Sequence, residues 1–312
     1  MIISASYKTD IPTFYGEWFM RRVRAGYCMS VNPYSGQVYR VALERAHVAG
    51  IVLWTKNVQP FLKHLPELKE RGYPTVVQYT INRYPRALET SVVDAEKSVE
   101  SAWRVRELLG ARALVWRYDT IIHSSLTPGE FHLDNFRWLA GRLQGATDEV
   151  VISFAQLYRK TRRNLEAAAR EVGFDWHDPP TEEKRRLLSG LLRIAREHGI
   201  RVSVCSQRDL IVDGAEDATC VDVHRLEGLA GGTIRARLKG NRKDCGCFES
   251  RDIGEYDTCP HGCVYCYAVQ NRELALERFR QHDPDSEYLF APAHRSSDGG
   301  STRKGTLPLF GD

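Results

Sequence analysis

The sequence predicts an α/β fold, a (β/α) TIM-like barrel, complete or incomplete, followed by a cysteine-rich segment suited to a metal cluster. Three observations carry this reading. Short apolar runs alternate with amphipathic stretches over the first 210 residues, the pattern of right-handed βαβ units around a parallel sheet. The runs end in polar residues, and five of the eight cysteines fall between Cys245 and Cys266. With 312 residues, 42% of them hydrophobic, the chain is long enough for one large barrel with a full core.

Ile2-Ile3-Ser4-Ala5-Ser6 is a short strand opening onto Tyr7-Lys8-Thr9-Asp10, and Asp10-Ile11-Pro12 starts a helix, with Asp as cap and Pro in the first turn. Val38 to Leu43 is a second strand. Gly50-Ile51-Val52-Leu53-Trp54 and Thr75-Val76-Val77-Gln78-Tyr79-Thr80 are strands apolar on both faces, as in sheets covered on both sides. Val58 to Arg71 between them reads as a helix, as do Glu100 to Leu109 and Leu133 to Leu143. Ala113 to Trp116 and Glu149 to Phe154 are strands. Glu182 to His198 is a long amphipathic helix stopped by Gly199, and Arg201 to Cys205 is the last clear strand. Asp222 to Leu229 is a short helix. Six or seven such units closing on themselves make the barrel.

Polar residues recur where these strands end: Lys8, Lys56, Gln78 and Thr80, Arg117 and Asp119, Ser153, and Cys205. In parallel α/β proteins that C-terminal rim is where sites are built, so a shared pocket is expected, although a single such residue, Ser153 above all, is ordinarily structural. The expected organisation is a barrel over 1–210, a cysteine-rich segment over 211–282 packed on the barrel mouth, and a mobile tail over 283–312. The formal charge of +4 permits nucleic-acid contact without arguing for it. The chain shows no charged-then-apolar leader and no long apolar span, which points away from membranes. Clustered cysteines in such a chain suggest metal binding in a reducing cytoplasm rather than disulfides.

The metal signal is Cys259-Pro260-His261-Gly262-Cys263-Val264-Tyr265-Cys266, a C-x3-C-x2-C spacing. Thiolates are soft ligands, and three on a short glycine-containing loop suit three corners of a 4Fe–4S cube. With no fourth local cysteine, one iron is left open. The alternative is a zinc knuckle completed by Cys245-Gly246-Cys247, although zinc half-sites ordinarily space their cysteines two to four residues apart. Cys205 and Cys220, with Cys245 and Cys247, are candidates for a second cluster, while isolated Cys28 reads as apolar filler. The basic residues Arg235, Arg237, Lys239, Arg242 and Lys243 lead into this region and read as a solvated face or an anion contact.

The spacing, with Tyr265 in the aromatic position, resembles the radical S-adenosylmethionine superfamily. The segments Ser4-Ala5-Ser6, Thr9-Asp10-Ile11-Pro12, Trp54-Thr55-Lys56-Asn57, Trp116-Arg117-Tyr118-Asp119 and Ser250-Arg251-Asp252-Ile253-Gly254-Glu255-Tyr256-Asp257-Thr258-Cys259 resemble a bacterial family catalogued as a domain of unknown function, number eighteen forty-eight. The Thr-Lys, Gln-x-Thr and Arg-x-Asp strand ends resemble the spore photoproduct lyase-like branch of the radical enzymes. That branch carries its cysteine loop after the first strand, whereas here it comes last, and no Gly-Gly-Glu follows. A final segment returning beside the first strand would bring the loop to the same rim.

The resemblance implies that Cys259, Cys263 and Cys266 hold a 4Fe–4S cluster, that the open iron chelates S-adenosylmethionine, and that a 5′-deoxyadenosyl radical abstracts hydrogen from substrate. Lys56 and Arg117 would pair with anionic groups and Asp119 would orient them. Gln78, Thr80, Asn82, Ser153 and Tyr265 would contact cofactor or substrate. The electron would come from a ferredoxin or flavodoxin. Leu307-Pro308-Leu309-Phe310 resembles sliding-clamp peptides without their glutamine; such a tail would place the enzyme at DNA, with a nucleotide-like substrate and a repair role. Two other classes stay open: an iron–sulfur electron-transfer or ligand-binding protein, and a zinc-stabilised hydrolase barrel.

Overall fold

The structure is a computed structural model, described here for residues 1–33, 35–240, 242 and 244–291. Eight strands form one sheet: β1 (Ile2–Ala5), β2 (Gly50–Thr55), β3 (Thr75–Thr80), β4 (Leu114–Ile121), β5 (Glu149–Phe154), β6 (Arg201–Val204), β7 (Glu216–Asp217) and β8 (Ser250–Asp252). Their order is β7-β6-β5-β4-β3-β2-β1-β8, and every pairing is parallel. Each chain crossing therefore lands beside its predecessor until the last, which returns to the first.

Helices Gly16–Ala25, Ala95–Leu109, Gly129–Leu143 and Thr181–Glu197 cover one face. Strand residues Ile3, Leu53, Val77, Trp116 and Ile152 pack there against Trp18, Phe136, Leu139 and Leu188. Burying one such side chain is worth roughly 1.5–3 kcal/mol, which is why the apolar stripes of these helices dock here. The alternate residues Ile2, Val52, Val76, Val115 and Val151 form a second core with Cys205, Cys220 and Cys247. Helix Val223–Ala230 closes the N-terminal end of that core. Leu226 lies so close to Gly50 that a Cβ there would come within 2.7 Å of it, and buried Arg225 reaches Asp148 and Glu149 at 2.7 and 2.6 Å. The C-terminal strand ends remain for a site.

Asp10 caps the first helix through Thr13 N at 2.9 Å, as its sequence position predicts. Elsewhere the structure differs. Val38–Ala42 is not in the main sheet but pairs antiparallel with Tyr27–Val31. The stretch after Val58 splits into a 3-10 turn at Gln59–His64 and a short helix at Leu65–Glu70, with prolines entering both. Helices Arg159–Val172 and Arg272–Arg280 add to the expected set. The cysteine-rich segment supplies β7 and β8, so a boundary at 210 cuts through the sheet.

Residues 283–291 are docked rather than loose. Trp18 Nε1 donates to Ser286 O at 2.9 Å, Met29 N donates to Glu287 O at 2.9 Å, and Leu289 is buried. Lys243 and the tail residues Leu307, Leu309 and Phe310 lie outside the described residues. No helix among the described residues is long and apolar enough to cross a membrane.

Candidate functional site

Asp252 fastens the cysteine arm to the rim. It is the last residue of β8, level with Ser4 in the register. One carboxylate oxygen accepts from Ser4 Oγ at 2.8 Å and Tyr7 N at 3.0 Å; the other accepts from Ser6 Oγ at 2.7 Å and Gly254 N at 3.0 Å. Lys8 Nζ stands 3.5 Å away. The close approach of Gly254 to Ser6 leaves no room for a side chain, since a Cβ would sit 2.1 Å from Ser6 Oγ. Gly254→Ala is therefore expected to push Ser6 off Asp252 and cost about 1–3 kcal/mol as overpacking, read as a lower denaturation midpoint with unchanged m-value.

The thiol loop then lies over the ends of β1, β2 and β3. Tyr15 Oη donates to Thr258 O at 2.5 Å and Tyr267 Oη to Tyr7 O at 2.6 Å. His261 Nε2 meets Asp10 Oδ2 at 2.7 Å, and that oxygen also accepts from Lys56 N at 2.7 Å. Ser91 N donates to His261 O at 2.9 Å and Val264 N to Leu88 O at 3.1 Å. Cys259, Cys263 and Cys266 are half-buried. Desolvation raises all three thiols above their ordinary range; Asp10 adds to this at Cys259, while Lys56 opposes it at Cys263. Ala268 N donates to Cys266 Sγ at 3.4 Å.

Beside the loop, Lys56 Nζ donates to Glu89 Oε1 at 2.7 Å and to Tyr265 Oη at 3.0 Å. Tyr265 Oη also donates to Glu89, and Asn82 Nδ2 donates to Glu89 at 3.1 Å. Burial pushes the Glu89 carboxyl up, but the Lys56 ammonium and these hydrogen bonds outweigh it and leave the group below its usual range. Desolvation lowers Lys56, and Glu89 with Cys263 more than restores it. Asn82 links onward, since Asp119 N donates to its Oδ1 at 3.0 Å.

Arg117 lies deeper. It forms an ion pair with Asp119, donates to Gln78 Oε1 at 3.2 Å and Cys220 Sγ at 3.1 Å, and lies over the Trp54 ring. Ser153 Oγ donates to Asp119 as well. Here the second group of sulfurs begins. Cys220 Sγ is 3.7 Å from Cys205 Sγ, and the string continues through Cys247 to Cys245. Arg242 Nη2 reaches Cys205 Sγ at 3.4 Å. Two guanidiniums thus face the Cys205–Cys220 end of this group.

The family comparison matches residues 2–268, which take in all eight strands and the whole thiol loop. The chain belongs to the family described as Domain of unknown function (DUF1848). No curated protein and no solved structure matches it.

In this DUF1848 chain the structure brings Cys259, Cys263 and Cys266 together with Lys56, Asn82 and Tyr265, and groups Cys205, Cys220, Cys245 and Cys247 separately with Arg117, Asp119, Gln78 and Ser153. Cys245 and Cys247 therefore complete the inner set, not the loop. Cys28 sits in the helix-side core. Thr80 is half-buried at the end of β3. Three expected roles change. Lys56 and Arg117, read as anchors for an external anion, already hold internal carboxylates, Glu89 and Asp119. Gln78 likewise serves the interior, donating to Cys220 O at 2.8 Å. Sequence reasoning missed Glu89, which lies in a loop without periodicity, and the pairing of His261 with Asp10. Asp252 was in view inside the Arg-Asp-Ile-Gly segment, but its partners lie at the other end of the chain.

Proposed function

We propose that this protein is a radical S-adenosylmethionine-type iron–sulfur enzyme, its sheet curled into a (β/α) barrel with the cluster loop across the mouth. The observation that carries the reading is the return of β8 to β1, which sets three thiols over the C-terminal strand ends with every other described cysteine committed elsewhere. Barrel curvature is supported by a single inner core that runs from Ile2 on β1 to Cys220 beyond β7.

The donor set fits a polynuclear centre better than a single ion. A tetrahedral zinc with about 2.3 Å bonds holds its sulfurs roughly 3.8 Å apart. Among the described residues, the one trio of His, Cys, Asp or Glu ligand atoms lying within 4.8 Å of one another is His123, His177 and Glu183. The loop thiols are therefore spread wider than one zinc requires, while half-buried sulfurs taking backbone N–H bonds suit a cluster whose potential such bonds tune.

When bound, the cluster and S-adenosylmethionine would supply reductive cleavage of the sulfonium and a hydrogen-abstracting 5′-deoxyadenosyl radical, with a ferredoxin or flavodoxin as electron source. The chain's own residues hold and shield that chemistry. The Lys56 ammonium places positive charge beside Cys263, where thiolate charge accumulates. Glu89 and Asn82 fix Lys56 and the Tyr265 hydroxyl. The Tyr265 ring, packed edge-on against Tyr84 at 6.1 Å, keeps water from the inner side of the loop. Protein groups thus aim and enclose, and the cofactor reacts.

The inner four thiols form a second centre in this reading. Four thiolates around a 2+ cluster or a zinc ion carry a net charge of about −2, which Arg242 and Arg117, the latter shared with Asp119, offset in part. A relay cluster would raise the iron count from about four to about eight per chain. A single zinc at the inner set has less support: the 3.7 Å between the Cys205 and Cys220 sulfurs matches two thiolates on one zinc, but among the described residues no third cysteine sulfur lies within 4.8 Å of both.

Anaerobic reconstitution followed by electron paramagnetic resonance of the reduced protein tests the proposal. Adding S-adenosylmethionine is expected to shift the cluster signal and to yield 5′-deoxyadenosine. An unchanged spectrum with no nucleoside released refutes the radical assignment, and metal analysis separates eight irons from four irons plus one zinc.

A further inference from the structure

A third group of ligand-bearing side chains lies outside both thiol sets. Beyond β4, His123–Ser124 pairs antiparallel with Trp176–His177, placing His123 opposite His177. Helix Thr181–Glu197 starts shortly afterwards and carries Glu183 in its first turn. The three side chains converge, so that one ligand atom from each lies within 4.8 Å of the other two. Their rings are set for a shared centre: the two imidazoles stand 5.8 Å apart between centroids, inclined at 64°.

His123 faces Glu183 through Nδ1, and neither of its ring nitrogens is hydrogen-bonded among the described residues. Its ring is buried and stacked on Phe154. Its Nε2 has no hydrogen-bond partner among the described residues. Its Nδ1 stands 3.8 Å from Glu183 Oε1, too far for a hydrogen bond. A buried, unbonded imidazole nitrogen is costly, and Nδ1 and Oε1 need close only from 3.8 Å to the roughly 3.3 Å that two ligands with about 2.0–2.1 Å bonds span across a tetrahedral ion. Lys184, the next residue along the helix, is paired with Asp178 at 2.5 Å.

We propose that His123, His177 and Glu183 bind one divalent transition ion, of the zinc or ferrous class. Two imidazole nitrogens and one carboxylate suit those ions, and three protein ligands leave a coordination position for water or a small ligand. The ion would tie the loop after β4 to the segment entering the long helix, adding to a two-residue strand pair and the hydrogen bonds between Ser125 and Asp175.

The test uses the full chain with its cysteine sites reconstituted anaerobically, and Zn²⁺ as probe. Equilibrium dialysis and metal analysis compare wild type with His177→Ala and Glu183→Gln, changes at an exposed and a half-buried position. Thiol-bound zinc is common to all three proteins and cancels in the comparison. Wild type is expected to retain one zinc more per chain, and each variant to bind that zinc more weakly by over the roughly 10–100-fold that losing an outer-shell partner costs. The iron–sulfur absorbance should be the same in all three. Equal zinc counts and affinities overturn the proposal. In crystals of wild type soaked with Zn²⁺, an anomalous peak about 2.0–2.2 Å from the three ligand atoms is expected, and density elsewhere with none here overturns it as well.

Discussion

Replacing Cys263 with Ala is expected to strip about four irons from each chain and to reduce 5′-deoxyadenosine release to background. The loop has three thiols and no spare: the inner four sulfurs are joined to one another, and Cys28 lies in the helix-side core. Losing one corner leaves a cluster with two protein ligands. The loop backbone itself should persist, because its anchors, Tyr15 to Thr258, His261 to Asp10 and Tyr267 to Tyr7, do not use the thiols. Circular dichroism and the urea midpoint of the metal-free protein should therefore barely move while iron is lost. Cys28→Ala is the control. It should keep its iron and lose about 1 kcal/mol of stability, as for a small deletion in a packed core. Full iron in the Cys263 variant would remove the loop from the cluster assignment.

Glu89→Ala is expected to destabilise the fold by about 3–5 kcal/mol, the cost of leaving one charge of a buried pair without its partner. Lys56, Asn82 and Tyr265 all donate to this carboxylate, so its loss also orphans three donors. Glu89→Gln should cost less, because it keeps the shape and an acceptor oxygen. The pH dependence has two flanks. Glu89 titrates below its ordinary value in the folded protein, so its contribution is full above the unfolded carboxyl value, about 4.3, and disappears as pH falls through the lower folded value. Lys56 titrates above its ordinary value, so its contribution is full below about 10.4 and is lost as pH rises through the folded value. The gap in urea stability between wild type and Glu89→Ala should thus be widest near neutrality and close towards acid. A gap that is flat from pH 7 to pH 3 would show that the ion pair is not its source.

Much of the sheet can be read from composition because β2 and β3 are buried on both faces, and a continuous apolar run has no other use in a covered sheet. Alternate strand residues reach the inner core, and the sequence showed Gln78, Arg117 and Ser153 only as polar residues at strand ends, not their inward contacts. β8 could not be read that way. Ser250-Arg251-Asp252 has no apolar residue, and its place depends on Ser4 and Ser6, 248 and 246 residues away along the chain. Helix Arg159–Val172 buries only Thr161, Leu165 and Ala168, too thin a stripe to stand out against its arginines. The thiol spacing was local and therefore readable; which cation faces which carboxylate was not, because Lys56 with Glu89 and His261 with Asp10 depend on how separate loops meet over the rim.

The bond between Ser4 and Asp252 spans 248 residues, and that span orders events during synthesis. The first strand leaves the ribosome with its outer flank bare, and stays so until Ser250–Asp252 has emerged. Closing so long a loop adds little entropy cost beyond a shorter one, but it cannot happen early. Under the proposed reading, a cluster on Cys259, Cys263 and Cys266 is assembled only after β8 has been made and has joined β1.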